Sequence, residues 1–353
     1  MNCDTKDHSN NKPLQPLLGL TLEELQALVS EYKMPKFTAR QIAEWIYTKR
    51  VTDIAQMSNI SLANRKKLSQ NFIVGRYPPS FVQQSKDGTR KYLFEVGQKQ
   101  YVESVMIPDK GRYTLCISTQ IGCKMNCLFC MTGKQGFGGN LSATEILNQI
   151  FSVQEADQLT NIVYMGMGEP LDNLQPVLRS LQVLTSEWGT AWSPKRITVS
   201  SIGVTKGLEA FLEQSHCHLA ISIHNPFTQE RAILMPSEKA FPIKQTIEMI
   251  RQTDFGGQRK LSFEYIVFAG LNDSLAHATK LAELLQGLPC LINLIRYHRI
   301  PMVDLPPTDE DRLIAFKRTL ELKGHTVTVR QSRGEDIAAA CGMLSALEGR
   351  NKN

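Results

Sequence analysis

The chain has 353 residues, 42% hydrophobic and 21% charged, enough to bury a large core in one big domain or in a catalytic domain with a small appendage. No run approaches the roughly 18 to 20 apolar residues that span a bilayer, and Met1 to Asn11 is polar without an apolar signal core; a cytoplasmic protein with no membrane partner is expected. Net charge is +6, but its distribution says more: from Lys33 to Arg76, nine basic residues stand against two acidic ones.

The first elements read as helices, because each apolar periodic stretch opens with a side chain able to cap free backbone N–H groups. Thr21 with Glu24 makes a capping box before Leu22, Leu25, Leu28 and Val29, and Thr38 with Gln41 repeats it before Ile42, Trp45 and Ile46. Ser61 caps a third helix through Leu68. Residues 1–78 are therefore expected to form a helical, basic accessory domain. Its Lys and Arg side chains suit phosphates, and Trp45, Tyr47 and Phe72 either stack on bases or simply pack; a solvated face is the plainer reading of such charges.

After Pro78 and Pro79 the period changes to two. Runs at Ser80 to Gln84, Lys91 to Val96, Gln100 to Pro108 and Tyr113 to Ser118 are separated by turn pairs at Asp87-Gly88, Gly97-Gln98 and Lys110-Gly111. This predicts a β-meander extension over residues 79–112. Beyond it, strands near Asn161 to Met165, Arg196 to Ser200, His218 to Ile223, Leu261 to Val267 and Leu291 to Ile295 alternate with helices. The helices are expected near Ala143 to Asp157, Leu174 to Ser186, Lys206 to Glu213, Pro242 to Thr253, Ser274 to Leu285 and Thr308 to Lys323. Six β-then-α units, counted from Tyr113, predict an α/β domain over residues 113–353: a parallel sheet curved into a partial (β/α)6 barrel.

Of the eight cysteines, Cys116, Cys123, Cys127 and Cys130 crowd together, whereas Cys3, Cys217, Cys290 and Cys341 lie scattered. Cys123-Lys-Met-Asn-Cys127-Leu-Phe-Cys130 offers three thiolates from one loop just past the first barrel strand. A structural zinc site wants four closed ligands, but three cysteines on a [4Fe-4S] cluster leave one iron open to chelate S-adenosylmethionine (SAM). The spacing is the pattern of the radical SAM superfamily. Gly166-Met167-Gly168-Glu169-Pro170 ends the next strand, where glycines admit a ligand and a carboxylate accepts from its ammonium. Ser200, Ser201 and Ser222-Ile223-His224 end later strands; each also has the plainer reading of a residue satisfying backbone groups.

Over essentially its whole length the chain resembles the RlmN and Cfr group of RNA methyltransferases. The matching segments are Glu103 to Pro108, Thr114-Leu-Cys116-Ile-Ser, the cysteine loop, Gly166 to Asn173, Asn293-Leu-Ile and Arg333 to Gly342. The resemblance implies that Cys123, Cys127 and Cys130 hold the cluster, and that Gly168, Glu169, Ser200, Ser222, Ile223, His224 and Asn293 contact SAM, Asn293 from the end of the sixth strand. It implies that Cys341 takes a methyl from one SAM and becomes S-methylcysteine, from which a second SAM, cleaved to a 5′-deoxyadenosyl radical, removes hydrogen. The methylene radical adds to adenine, Glu103 removes the ring proton, and Cys116 releases the product through a transient disulfide with Cys341. Without the resemblance, Cys116 in a strand and Cys341 in an Ala-rich helix read as small buried hydrophobes, as Cys3, Cys217 and Cys290 do.

The implied substrates are adenosines of 23S ribosomal RNA and transfer RNA methylated at C2, each drawn out of its stack. A flavodoxin-type electron donor and a monomer are expected. Departures from the family pattern, Arg296 and Met343, touch substrate-side details. The rivals are Cfr-like methylation at C8, a radical SAM enzyme with a peptide or small-molecule substrate, and a non-enzymatic RNA-binding protein with a structural metal.

Overall fold

The structure, a computed structural model, describes residues 13–97, 99–255, 259–301 and 303–345. The polar start, Cys3 and Gln98 of the second turn pair lie outside them.

The N-terminal helices are α1 (Leu22–Glu31), α2 (Thr38–Ala43) and α3 (Leu62–Ser69). Thr21 and Glu24 close the expected capping box, and Ser61 accepts from Asn64 N–H. Thr38 caps nothing. The chain enters α2 through a tight turn in which Thr38 N–H already bonds to Pro35 O at 2.9 Å, so Thr38 lies buried inside the first turn. Tyr47 and Phe72 pack rather than stack: Tyr47 is buried against Phe151 and Trp188 and donates to Leu20 O. Arg50, Arg65 and Arg76 are likewise spent inside the protein, on Asp157, Ala55 O and Arg50 O. Lys33, Lys36, Arg40, Lys49, Lys66 and Lys67 remain exposed.

One ten-stranded sheet follows, with strands in chain order: β1 (Phe81–Gln84), β2 (Arg90–Val96), β3 (Gln100–Asp109), β4 (Arg112–Cys116), β5 (Asn161–Tyr164), β6 (Ile197–Ser201), β7 (His218–Ser222), β8 (Leu261–Val267), β9 (Cys290–Arg296) and β10 (Thr326–Arg330). The first three strands and β4 pair antiparallel as the meander, and β4 to β10 run parallel. The sequence reading contained six parallel strands; β10 is a seventh. Its alternation in Thr326-Val-Thr-Val-Arg330 is short and half polar, since one face looks into the barrel.

Helices α4 (Ala143–Phe151), α5 (Leu174–Thr185), α6 (Thr205–Gln214), α7 (Thr228–Leu234), α8 (Ile243–Arg251), α9 (Leu275–Leu285) and α10 (Glu310–Leu322) cover the outer face. Apolar faces drive this packing, and one buried amide fixes the register of the first. Gln149 of α4 accepts from Ser104 Oγ at 2.6 Å and Ser118 N–H at 2.9 Å while donating to Ser118 O at 3.0 Å. None of the described helices is long and apolar enough to cross a membrane.

After β10 the chain does not form the Ala-rich helix expected around Cys341. Left-handed Gly334, Ala338 and Gly342 interrupt it, leaving one 3-10 turn at Glu335–Ile337. The segment instead crosses from β10 to the β1–β2 turn. Gly334 N–H donates to Asp87 at 3.0 Å, Asp336 accepts from Ser85 Oγ at 2.6 Å, and Arg333 pairs with Asp109 at 3.2 Å. Burial raises the Asp87 pKa, but hydrogen bonds from Gly334, Thr89 and Ser85 outweigh it and hold the carboxyl down to about 2. A depressed carboxyl stabilises the fold above its unfolded value near 3.9 and loses that contribution as pH falls toward 2. Acid unfolding of Asp87→Asn should show a shallower slope between about pH 4 and 2 than wild type; identical slopes would remove Asp87 from the clasp.

Candidate active site

The cysteine loop lies at the C-terminal rim, between β4 and α4. Gly122 turns the chain into it at φ +69, where a Cβ would sit 1.8 Å from Gly136 O, so only glycine lets the two backbones meet. Cys123 N–H then bonds to Gly136 O at 2.9 Å and Leu128 N–H to Leu234 O of α7 at 2.8 Å. Burial raises the Cys123 thiol to about 12 and the Cys127 thiol well above its ordinary value; the neighbouring loop cysteines add to both shifts. Burial keeps Cys123 and Cys127 as neutral thiols in the free loop, so they act as thiolate ligands only where a bound cation compensates the charge. Among the described residues no three His, Cys, Asp or Glu side chains converge on a single metal ion. Three soft donors spread through one loop fit a polynuclear iron-sulfur cluster better than zinc.

Arg231 of α7 went unnoticed in the sequence, where it is one cation in a polar helix. Its side chain is fully buried. It donates to Ile223 O at 2.9 Å and Ser222 O at 3.0 Å, pairs with buried Glu238, and acts electrostatically on Cys127. It therefore ties α7 to the end of β7 and places positive charge near the cysteine loop.

The segment Gly166 to Asn173 abuts the same loop. Gly168, at φ +96, has no room for a Cβ, which would meet Gln120 Cβ at 2.5 Å. Asn173 donates to Thr119 O and Leu141 O, each at 2.8 Å, and Asp172 accepts from Lys124 at 2.9 Å. Glu169 is buried, accepting from Leu171 N–H at 3.1 Å and Ile202 N–H at 3.0 Å; burial lifts its pKa to about 7 against these bonds. His224, at φ +52, accepts at Nδ1 from Ile266 N–H at 3.0 Å, and its Phe129 neighbour stands edge-on at 4.8 Å. Burial, then Arg231, pushes its pKa down to about 3, so the imidazole is neutral.

Ser222, Glu264, Asn293 and Thr328 share one level across β7 to β10. Asn293 lies in mid-strand, not at the strand end expected, because β9 continues to Arg296. Glu264 accepts from Asn293 at 2.8 Å, Ser262 at 3.0 Å and Arg330, 3.1 Å away; Thr328 donates to Asn293 at 2.5 Å. Neither Glu264 nor Arg330 stands out in the sequence, since interior polar residues of a strand look like those on a wet face.

Along this layer and toward the N-terminal strand ends runs a cavity of about 1330 Å³ whose wall includes Cys116, Cys130, Asn293, Arg330 and Cys341. Cys116 ends β4, and Cys341 is presented to the cavity by the crossing segment, which is anchored by Met131 N–H to Gly342 O and Thr132 Oγ to Leu344 O, each at 2.8 Å. Burial and then Cys341 raise the Cys116 thiol to about 12, opposed by a Met165 backbone bond and by Arg330. Burial also raises Cys341, while Arg330 lowers it. Glu103 is buried behind the segment, 3.2 Å from Lys91, and accepts from Ser345 N–H at 2.9 Å. Cys290 reaches the cavity wall and Cys217 is buried.

Residues 15–74 match the family profile of the ribosomal RNA large subunit methyltransferase N-terminal domain, and residues 117–282 that of the radical SAM superfamily. A Desulfotalea psychrophila protein described as dual-specificity RNA methyltransferase RlmN is 38% identical, over 96% of this chain and 97% of its own. A Porphyromonas gingivalis protein, "Probable dual-specificity RNA methyltransferase RlmN", is 63% identical over 93% of each chain. The chain belongs to the RlmN family of radical SAM RNA methyltransferases. A crystal structure of a radical SAM methyltransferase from Sphaerobacter thermophilus superposes with a TM-score of 0.89 at 35% identity, covering 94% of this chain and 99% of that one. Members use a [4Fe-4S] cluster and SAM, so the expected fold and cofactors stand.

Removing one partner of a buried ion pair strands the other charge, at a cost of about 3–5 kcal/mol. Arg231→Met should lose that much stability in urea unfolding of the cluster-free protein, and Arg231→Met/Glu238→Gln should regain most of it. A single variant as stable as wild type would show that the pair is not structural.

Proposed function

We propose that this chain methylates C2 of adenosine in 23S ribosomal RNA and in transfer RNA, with Cys341 as methyl carrier and Cys116 as resolving thiol. The observation that carries the reading is that both cysteines, remote in sequence, open onto one cavity with Cys130 of the cluster loop in its wall. In this reading Cys123, Cys127 and Cys130 hold the cluster, and Gly168, Glu169, Ser200, Ser222, Ile223, His224 and Asn293 shape the SAM site, several of them by fixing its walls. The bound cluster and SAM supply the carbon radical that the unreactive ring carbon requires.

Cys341 ionises with help from Arg330, which Glu264 orients, and its sulfur takes the SAM methyl to become a thioether. With cluster and SAM bound, one hydrogen atom of the thioether methyl would pass to the SAM-derived radical, the carbon so freed bonds to the adenine, and Glu103 accepts the proton that the ring carbon loses together with one electron, which would return to the cluster. Cys116 then attacks the Cys341 sulfur: the S–S bond forms, the S–CH2 bond breaks with its electron pair on the carbon, which takes up a proton to become the product methyl, and an external reductant restores both thiols. Methylation of Cys341 also removes one source of the raised Cys116 pKa, because a thioether carries no negative charge. The resolving thiol is thus easier to ionise once the carrier is loaded. A flavodoxin-type electron donor and a monomeric enzyme complete the proposal.

Mass spectrometry of the Cys341 peptide from cluster-loaded enzyme incubated with SAM should show one added methyl, discharged on RNA that then contains 2-methyladenosine. Cys116→Ala should accumulate a covalent protein–RNA adduct. An unmodified Cys341 in active enzyme would defeat the carrier role, and 8-methyladenosine in the digest would assign the C8 reaction instead.

A further inference from the structure

The cavity wall continues down the barrel from the thiols to the N-terminal ends of the strands. There it meets Arg112 at the start of β4, Lys195 just before β6, His218 at the start of β7, and Arg259 with Lys260 just before β8. Because β4 to β8 are parallel, these positions form one arc at the mouth opposite the cluster loop. Arg112, Lys195 and Lys260 are exposed. Among the described residues neither Arg112 nor Lys260 has a carboxylate partner. Asp109, the acid in the wall, is already paired with Arg333.

Arg259 is built into this rim rather than loose upon it. Its Nε donates to Cys217 O at 2.9 Å and its Nη1 to Leu212 O at 3.2 Å, with the guanidinium 5.0 Å above the Phe211 ring. Its buried Nη2 has no partner among the described residues. Lys260, Arg259 and Lys195 also all act, after burial, to lower the His218 pKa, which reports how tightly the cations are gathered. Concentrated positive charge at a concave opening attracts a polyanion.

The other mouth is covered. At the C-terminal rim the cysteine loop, the Gly166 to Asn173 segment and the end of the crossing segment at Gly342 to Leu344 are hydrogen-bonded to one another or to the strands beneath, while the start of that segment is held at the edge of the N-terminal mouth by Asp109 and Asp87. From Lys260 to Glu264, whose carboxylate acts electrostatically on the Cys341 thiol, is four residues of strand, about 13 Å at the usual rise. A nucleotide swung out of its stack enters such a site base first, with its phosphates left outside.

We infer that substrate RNA docks on the N-terminal mouth of the barrel, its backbone phosphates held by Arg112, Lys195, Arg259 and Lys260 while the target adenine passes up the barrel interior to Cys341. The inference rests on the RNA substrate proposed above and adds a surface separate from the basic N-terminal helices. An acidic redox protein would also find this charge attractive, but electrons are needed at the cluster loop, on the opposite rim.

The test is steady-state methylation and RNA binding by cluster-loaded Lys195→Glu/Lys260→Glu, with Lys317→Glu on the outer helix α10 as control. Loss of two phosphate contacts should raise the KM for RNA at least about tenfold and flatten the salt dependence of log K by about two. kcat at saturating RNA should change far less, and the control should match wild type. Unchanged KM and salt slope would overturn the docking surface, as would normal RNA binding with slowed reduction by flavodoxin, which would assign the rim to the electron donor. Wild-type enzyme that neither binds nor methylates RNA would overturn the substrate reading itself, an outcome separate from failure of the mouth alone. Arg112→Glu repeats the comparison should the double variant not fold.

Discussion

Everything chemical in this protein depends on carrying the end of the chain back across the open side of the barrel. Seven parallel strands and a meander leave the edges β1 and β10 unpaired with each other, and the crossing segment joins them through Asp87, Ser85, Asp336 and Asp109. These are side-chain-to-backbone and charge-assisted contacts at the surface, individually modest. Their effect is positional: they hold one thiol in front of another that β4 has already placed. The anchors at Gly342, Leu344 and Ser345 fix the depth at which Cys341 enters the cavity.

Beneath that segment the barrel keeps ionisable groups in separate environments. Glu169 and His224 are stripped of water and satisfied by backbone donors, so one titrates near neutrality and the other stays uncharged. Arg231 and Arg330 stay charged in the interior because Glu238 and Glu264 accompany them. Each pair sits beside a cysteine sulfur, Cys127 in one case and the Cys116–Cys341 pair in the other. A compensated cation offers its field to a thiolate without the full penalty of a lone buried charge.

Much of this was legible beforehand, and the exceptions share a cause. Thr21 and Ser61 cap their helices as read, because capping is local, and the cysteine loop was recognisable because its ligands come from one short stretch. Thr38 failed because Pro35 had already turned the chain, and Asn293 was misplaced because a fully buried strand gives no sign of where it stops. The Ala-rich stretch before Cys341 has high intrinsic helix propensity, but Gly334 and Gly342, with contacts to residues near position 87, outweigh it. Glu264 and Arg330 were invisible for a related reason: what makes a polar residue interior is the curvature of a sheet, which no periodicity within one strand reveals, while Arg231 on α7 and Arg259 ahead of β8 look in the sequence like ordinary surface cations.

The strand order follows the chain order without exception. As the polypeptide leaves the ribosome, each βα unit can therefore add to an edge that already exists, and the cysteine loop has its supporting strands well before synthesis ends. The crossing segment is different, since its partners near residues 85–109 must wait for the last part of the chain. A nascent or prematurely terminated molecule can thus hold the cysteine loop while lacking both Cys341 and the cover over the cavity. Oxygen and stray thiols would meet that uncovered interior directly, so the crossing segment shields the cavity as well as presenting Cys341 to it.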